Sequence, residues 1–200
     1  MWQVTRLTKI NDLRLFAETG RTYAFDHRAS GGFGRGEGCG CIVLRPLETS
    51  IAANDTIRAV VVGTGVNQDG RTTGITNPNC EAQENLIRQV YNNAHIDPTE
   101  TGYVEAHGTG TKVGDPLEAT ALHAVFGEGR TPRRPLYVGS VKSNVGHTES
   151  VSGIISIIKT AMMLEKGFIL PNCNFEKANP AIPMEEWNLR VRLISLIRTN

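Results

Sequence analysis

The sequence predicts an α/β fold in which helices pack in layers on a sheet of mixed direction. Apolar, β-branched runs that are typical of strands alternate along the chain with amphipathic segments that are typical of helices. Glycine-rich turns follow several strand-like runs, and α/β folds place their ligands at such strand ends. The chain has 200 residues, of which 40% are apolar, so it is long enough for one domain with a substantial core.

The first half of the chain is predicted to contain two strands and one helix. Residues 39–47 and 57–66 are strand-like, and the second segment carries a β-branched run typical of a buried strand. Residues 77–96 follow a helical period, with their apolar side chains on one stripe. Cys39 and Cys41 alternate in the first strand, so we expect both to point to one face as small buried core residues.

The next two predicted elements are a short strand and a well-delimited helix. Residues 101–108 form a strand that leads into a glycine turn, and residues 114–127 form the helix. Asp115 is predicted to cap this helix, with Glu118 three residues later completing a capping box. Gly127 is expected to end it.

The last third is predicted to contain a strand, a long helix and an extended tail. Residues 135–142 are strand-like and lead into a turn. Residues 147–167 form a helix that is apolar on most faces, so we expect it to be buried, either in the core or at an interface. Residues 170–191 are rich in proline and asparagine and are predicted to be an extended surface segment.

Composition narrows the class of protein. The net charge of +1 gives no electrostatic reason to expect nucleic acid or an anionic membrane surface as a partner. No apolar run approaches the roughly 18 residues of a membrane helix, and charged residues interrupt the first twenty positions, which excludes a signal-peptide core. We therefore expect a soluble cytoplasmic protein whose four cysteines are free thiols.

Two histidines are the main candidates for chemistry. His107 lies in EAHGTGTKVGDP and His147 in GSVKSNVGHTES, each beside a glycine turn and neither on an apolar helical face. His147 would begin a helix, whose positive dipole end disfavours a charged imidazole. A neutral imidazole can donate a hydrogen bond to an oxygen that gains negative charge, and Lys142 would add a positive charge nearby. The remaining histidines are expected to be structural: His27, His95 and His123.

Metal and nucleotide binding are the competing interpretations. The two histidines could ligate a metal together with Glu105 or Glu149, each of which lies two residues from a histidine. We favour a site without metal, because the glycine turns make a shared ligand geometry uncertain. The glycine-rich segment at residues 30–40 contains no G-x-G-x-x-G pattern and precedes a strand instead of following one, so we interpret it as tight turns.

Two threonines flank Gly110 in the first histidine motif. Thr109 and Thr111 could present their hydroxyls to one extended ligand, such as the amides of a pantetheine arm. Alternatively, they could form turns in which each hydroxyl stabilises the loop itself. The spacing is compatible with both roles.

The segments EAHGTGTKVGDPLEA and GSVKSNVGHTESVSG resemble the β-ketoacyl synthase family, the condensing domains of polyketide and fatty-acid synthases. FDHRASGGFGRGEGCG, VNQDGRTTGITNPN and LPNCNFEKANPAI are similar to further family segments, in the same order. The resemblance extends from Phe25 to Val191 and is strongest to polyketide synthases of the fungal type. It implies a partial ketosynthase domain at residues 24–191, between unmatched segments at 1–23 and 192–200.

The resemblance implies a thiolase-like fold and a decarboxylative Claisen condensation of acyl and malonyl thioesters. His107 and His147 would be the catalytic histidines, Lys142 would support them, and Glu149 would hold the network. Thr109 and Thr111 would contact the phosphopantetheine arm of an acyl carrier protein, with no bound cofactor and no metal. The partners would be that carrier protein and the other half or subunit of a condensing enzyme, which is a dimer in the parent.

The resemblance also implies that parts of the condensing domain are missing. The nucleophilic cysteine of the family lies in a DTACSSS-like motif, which does not occur here, and the family's later Gly-Phe-Gly-Gly-Thr-Asn loop is absent too. We therefore expect the carboxyl-terminal half of a ketosynthase, unable to perform the full condensation by itself. The alternative is a non-catalytic partner, scaffold or remnant that pairs with another condensing-enzyme half.

Overall fold

A computed structural model of the chain describes residues 16–29, 31–72, 74 and 77–193. Its α-helices are α1 (Leu47–Ala52), α2 (Cys80–Ala94), α3 (Gly114–Phe126), α4 (Lys142–Val145) and α5 (Ser152–Lys166). Short 3-10 turns lie at Pro98–Glu100 and Glu149–Val151, and the strands are β1 (Tyr103–Glu105), β2 (Leu136–Gly139) and β3 (Leu189–Arg190).

The three strands form one sheet in the order β1-β2-β3, and both pairings are parallel. The mixed direction expected from the sequence is therefore not seen among the described strands. Glu105 at the end of β1 lies opposite Gly139 at the end of β2. Because parallel strands end at the same edge, the loops that follow β1 and β2 leave the sheet side by side.

The core lies between this sheet and helix α3. Leu136 and Phe25 are fully buried, and helix α3 contributes Leu122 and Phe126 to the same cluster. The ring of Tyr91 in α2 meets that of Phe126 edge-on, with centroids 5.2 Å apart. This contact joins α2 to α3 and thereby anchors the helix that follows the first histidine loop.

The tail at residues 170–191 is part of the core, contrary to the surface segment predicted from its composition. Ile182, Met184 and Leu189 are buried, and Leu189 pairs with Leu136 in the sheet. Asn172 is also buried, and its side-chain oxygen accepts the Ser140 N–H at 3.0 Å. Proline and asparagine here set sharp turns instead of marking exposure, which composition alone does not distinguish.

Two predicted strands, 39–47 and 57–66, are not formed. Residues 47–52 are helical instead, and Val43 and Val61 are 96% and 58% exposed. A strand needs a hydrogen-bonding neighbour, and none of the described residues supplies one to these segments. For the same reason Cys39 and Cys41 are exposed, so their predicted burial is wrong for this chain, although all four cysteines are free as expected.

Helix α5 starts later and is less buried than predicted. A 3-10 turn precedes it, and its apolar Ile157, Met162 and Leu164 are 45%, 54% and 66% exposed. The buried side chains of α5 are Lys159 and Met163. Among the described residues, no helix has the length and apolar character needed to cross a membrane.

Candidate active site

The two histidine motifs meet at the edge where β1 and β2 end. His107 follows β1 by two residues, and His147 follows α4, the short helix that begins at Lys142. The imidazole rings of His107 and His147 lie with centroids 5.3 Å apart and planes at 85°. Lys142, only 3% exposed, is close enough to lower the pKa of both histidines. The structure therefore brings together the three groups singled out from the sequence.

The backbone of His107 is held on both sides. The carboxylate of Glu118 in α3 accepts the N–H of His107 at 2.6 Å and that of Gly108 at 2.8 Å. The hydroxyl of Ser140 donates to the carbonyl of His107 at 3.2 Å. Burial raises the pKa of Glu118, whereas these two N–H groups and the charge of Lys142 oppose the rise. Glu118 thus fixes the loop that presents the imidazole.

The predicted capping box is wrong, because both of its acids serve the histidine loop. The helix starts at Gly114 after Val113, which makes no side-chain cap. The fully buried carboxylate of Asp115 accepts the N–H of Gly110 at 3.0 Å and that of Phe25 at 2.7 Å. Burial outweighs these hydrogen bonds and raises the pKa of Asp115 to about 7. The motif has the spacing of a cap, but its acids turn back onto the preceding loop.

Gly110 allows this loop to approach the core. Its φ is +71°, in the left-handed region, and a Cβ at this position would lie 2.7 Å from the backbone nitrogen of Tyr23. Any side chain would push the loop away from Asp115. The glycine is thus required by conformation and by space at once.

His147 is fixed in one tautomer. Its Nδ1 accepts the backbone N–H of Glu149 at 3.1 Å, so the proton of the neutral ring is on Nε2. The backbone N–H of His147 donates to the carbonyl of Gly34 at 2.7 Å, and the backbone carbonyl of His147 accepts the N–H of Gly36 at 3.0 Å. The segment at residues 34–36 therefore holds the His147 backbone in a short bridge.

Glu149 contributes through its backbone. Its φ of 56° turns the N–H towards Nδ1 of His147, whereas its carboxylate binds Arg35 at 2.7 Å. Both side chains of this ion pair are more than a third exposed, at 38% for Arg35 and 42% for Glu149. The sequence anticipated a supporting role for Glu149 but not that the main chain supplies it.

Electrostatics keep both histidines neutral near pH 7. Desolvation by the surrounding loops, followed by the charges of Lys142 and His147, lowers the pKa of His107 to about 4. Part of the His107 surface is nevertheless exposed to solvent. Burial and Lys142 also lower the pKa of His147. Burial lowers the pKa of Lys142, an effect that Glu118 and Glu105 oppose. The site thus contains two neutral hydrogen-bond donors beside a lysine.

The two threonines lie together next to His107. Their hydroxyl oxygens are 3.3 Å apart, and Thr111 Oγ1 also accepts the N–H of Gly114 at 3.1 Å. Thr109 is 8% exposed. Thr111 therefore performs the loop-stabilising role that was the alternative to ligand contact, since its hydroxyl contacts both Thr109 and Gly114.

The other candidate groups lie elsewhere. His95 ends α2 in a left-handed conformation, His27 lies beside Asp26, and His123 stacks on Trp187 at 4.5 Å. The part of the chain that the structure describes contains no cluster of three residues able to hold a metal ion. Glu105, considered as a metal ligand with the histidines, instead contacts Lys159 and Val141.

Comparison with known proteins gives consistent matches to condensing enzymes. The family described as "Beta-ketoacyl synthase, C-terminal domain" matches residues 58–176. The family described as "Beta-ketoacyl synthase, N-terminal domain" matches residues 3–50, which include most of the segment left unassigned from the sequence.

Curated relatives are fungal. The chain is 58% identical over 182 residues to Highly-reducing polyketide synthase 1 of Aureobasidium melanogenum, covering 91% of this chain and 8% of the relative. It is 56% identical over 179 residues to Reducing polyketide synthase PKS1 of Cochliobolus heterostrophus, covering 90% of this chain and 7% of the relative. The chain therefore spans less than a tenth of the length of these relatives.

Solved bacterial structures share the fold. The ketosynthase from module 6 of the bacillaene synthase of Bacillus subtilis 168 superposes with a TM-score of 0.87 at 37% identity, covering 94% of this chain and 33% of that one. The ketosynthase from module 1 of the bacillaene synthase of Bacillus amyloliquefaciens FZB42 gives 0.83 at 37% identity, with 89% and 32% covered. The chain thus has the thiolase-like architecture of about one third of a ketosynthase chain.

Proposed function

Because the chain belongs to the β-ketoacyl synthase family, as part of a fungal-type polyketide synthase ketosynthase domain, we propose that it carries the decarboxylating half of the condensation site. His107 and His147 are the catalytic residues, and Lys142 supports them electrostatically. The substrate is a malonyl thioester on the phosphopantetheine arm of an acyl carrier protein.

The observation that carries this proposal is the pair of neutral imidazoles beside a buried lysine. The rings lie 5.3 Å apart between centroids, and His147 keeps its proton on Nε2 because Nδ1 accepts the Glu149 N–H. Both histidines have lowered pKa values, and a pKa of about 4 leaves His107 about 0.1% protonated at pH 7. Two neutral imidazoles can therefore act on one oxygen, and the Nε2–H of His147 is a donor of fixed position.

In the reaction, the thioester carbonyl of the malonyl group accepts hydrogen bonds from the two imidazoles. The bond between the carboxylate and the α-carbon breaks, carbon dioxide leaves, and its electron pair passes through the α-carbon to the carbonyl oxygen. The enolate that forms is stabilised by the two N–H groups and by Lys142. Without an acyl acceptor, the carbanion takes a proton from water and gives an acetyl thioester, so that one proton is consumed per carbon dioxide released.

Full condensation requires an acyl group held on a cysteine. The DTACSSS-like motif that would carry it is absent from this sequence, so the enolate has no acyl carbonyl to attack within this chain. In the parent polyketide synthase, the α-carbon of the enolate would attack the carbonyl carbon of the acyl group, and the cysteine thiolate would leave. Thr109 and Thr111 would contact the pantetheine arm through their hydroxyl groups.

The test is carbon dioxide release by the full chain supplied with malonyl-pantetheine. Removing one donor from an oxyanion site typically lowers kcat by about 10²- to 10³-fold. We expect His107→Ala and His147→Ala each to lose activity by such a factor. Lys142→Met should also slow release, because it removes the positive charge that stabilises the enolate.

A matched control is His95→Asn, which removes a histidine outside the site at a left-handed position that asparagine tolerates. This variant should release carbon dioxide at the wild-type rate. Equal rates for wild type and His107→Ala would contradict the proposal, as would an equal loss in the control.

A second candidate function is that of a non-catalytic partner. Apolar side chains at Val61, Val62 and Ile157 are 58%, 62% and 45% exposed, which is unusual for a surface that stays in water. A second condensing-enzyme half or subunit is the occupant that this function requires. Light scattering and crosslinking with the ketosynthase and its carrier protein test it, and a chain that stays monomeric with both present would exclude it.

We also propose an extent for the domain and a location for the protein. We assign residues 24–191 to the ketosynthase domain, and the match of the amino-terminal family extends this assignment towards residue 3.

We place the protein in the cytoplasm, where carrier proteins and malonyl thioesters are available. Fusion of the full chain to a fluorescent protein and imaging in fungal cells tests this placement.

A further inference from the structure

Helix α5 buries the charged side chain of Lys159 at a position where an aliphatic residue is usual in so apolar a helix. The helix is rich in isoleucine, yet the side chain of Lys159 is 8% exposed, whereas Ile157 is 45% exposed. Its Nζ donates to Glu105 Oε2 at 2.6 Å and to the Tyr103 hydroxyl at 2.9 Å. Glu105 itself is 6% exposed. A lysine and a glutamate are thus enclosed together behind the histidine site.

Stability does not explain this pair. Desolvating two charges offsets most of their attraction, and apolar replacements of a buried ion pair are often equally stable. An aliphatic side chain of the kind common in this helix could fill the same space. A buried ion pair next to a candidate active site therefore points to another role, that of holding groups in a fixed geometry.

Glu105 uses its second oxygen on the other side. Oε1 accepts the backbone N–H of Val141 at 2.6 Å, and Val141 directly precedes Lys142 at the start of α4. Tyr103 donates its hydroxyl to Oε2, which fixes the orientation of the carboxylate together with Lys159. One carboxylate thereby connects the strand that leads to His107, the turn that carries Lys142, and helix α5.

We infer that Glu105 and Lys159 are positioning residues that hold the segment carrying Lys142 in register with the loop carrying His107. This inference rests on the proposed decarboxylation. Lys159 pins one carboxylate oxygen, so that the other stays on the Val141 N–H. Without that anchor, the end of β1 and the start of α4 move relative to one another. Displacements of about 1 Å at a reacting centre cost about 100-fold in rate.

The test uses four variants of the full chain. Glu105→Gln and Lys159→Met each break the ion pair at nearly constant volume, and their combination removes both charges so that neither is left buried alone. Lys159→Arg keeps the charge and the donor. Two controls change exposed residues of the same types without an ion pair: Glu128→Gln and Lys166→Met.

The first readout is kinetic. In malonyl-pantetheine decarboxylation, kcat should fall about 10- to 100-fold in Glu105→Gln, in Lys159→Met and in the double variant, with KM within about twofold of wild type. The effects should be non-additive, because the two residues act as one unit. Lys159→Arg should recover most of kcat, and both controls should match wild type. A folded double variant with wild-type kcat would overturn the inference.

The second readout does not depend on activity. In ¹H–¹⁵N spectra, the Val141 amide bound to a carboxylate resonates downfield, and it should move upfield in Lys159→Met although Glu105 is unchanged. The Lys142 amide and the imidazole C–H signals of His107 and His147 should shift with it. An unchanged Val141 amide in Lys159→Met would refute the positioning role. If the wild type releases no carbon dioxide but these shifts occur, the proposed function fails while the anchoring by Lys159 holds.

Discussion

Replacing Asp26 with asparagine should destabilise the fold in a way that depends on pH. The fully buried carboxylate of Asp26 accepts N–H groups of Arg28, of Glu176 at 2.5 Å and of Lys177 at 3.2 Å, in addition to the Arg28 guanidinium at 2.6 Å. It therefore ties the segment before the glycine-rich turns to the carboxyl-terminal tail. Asparagine keeps the size but loses the charge and directs an amide N–H towards these donors.

The magnitude follows from the pKa of Asp26. The Arg28 side chain and the backbone N–H groups outweigh desolvation and lower this pKa from 3.8 to about 2. That shift corresponds to about 2.5 kcal/mol of unfolding free energy at pH 7. Because the folded pKa is the lower one, this stabilisation is present above about pH 4 and is lost as the pH falls towards 2.

Urea unfolding at several pH values measures the effect. Asp26→Asn should be less stable than wild type by about 2.5 kcal/mol at pH 7, and the difference should shrink between pH 4 and 2. Glu128→Gln, at an exposed position, is the matched control and should change stability little at any pH. A difference between Asp26→Asn and wild type that stays constant from pH 7 to 2 would refute the reasoning.

Three further predictions concern the site. Carbon dioxide release should show no inflection at pH 6.5, the ordinary value for an imidazole, because the pKa values of His107 and His147 are both lowered, that of His107 to about 4. A half-maximal rate at pH 6.5 would contradict this lowering. Glu118→Gln should lower kcat by about 10-fold or more, measured by carbon dioxide release, because an amide group replaces one of the oxygens that accept the two loop N–H groups. A rate equal to wild type would show that the loop does not need this anchor. Gly110→Ala should lower the free energy of unfolding, measured in urea, by more than the roughly 1–2 kcal/mol of left-handed strain, because the new Cβ would meet Tyr23. Gly129→Ala is the control, since Gly129 also has a positive φ but a Cβ there would have nothing within 4 Å, so it should cost only the strain. Equal losses in the two variants would exclude the steric cost.

The sequence predicted elements well where the signals are local. Helices 77–96 and 114–127 were observed as Cys80–Ala94 and Gly114–Phe126 because turn residues and apolar periodicity mark them within a few positions. Strands 39–47 and 57–66 failed for a different reason. Their β-branched runs indicate burial, but burial and pairing need a neighbour that the described part of this chain does not supply.

The site was predictable in its chemical groups but not in its supports. Glycine turns after strands indicated His107 and His147, and the structure places their rings in contact. Glu118 was mistaken for a capping residue, because the spacing of a cap also fits an acid that turns back onto the preceding loop. Lys159 gave no signal at all, since a lysine within an apolar helix is usually solvated at the helix surface, and its partner Glu105 lies 54 residues away.

These two kinds of error have different physical origins. Hydrophobic patterning predicts burial, but the side chains of helix α5 and of residues 57–66 are more exposed than their pattern predicts. The hydrogen bonds that fix the histidines come mainly from residues 105–159 and the segment at 34–36, all within this chain. The geometry of the two histidines is therefore specified by the described residues, which leave apolar side chains such as Val61 and Leu164 exposed. It follows that a partner covering this surface should raise the stability of the chain, whereas it should lower the pKa values of His107 and His147 further only if it also removes water from the two rings, because desolvation is the largest cause of their lowering.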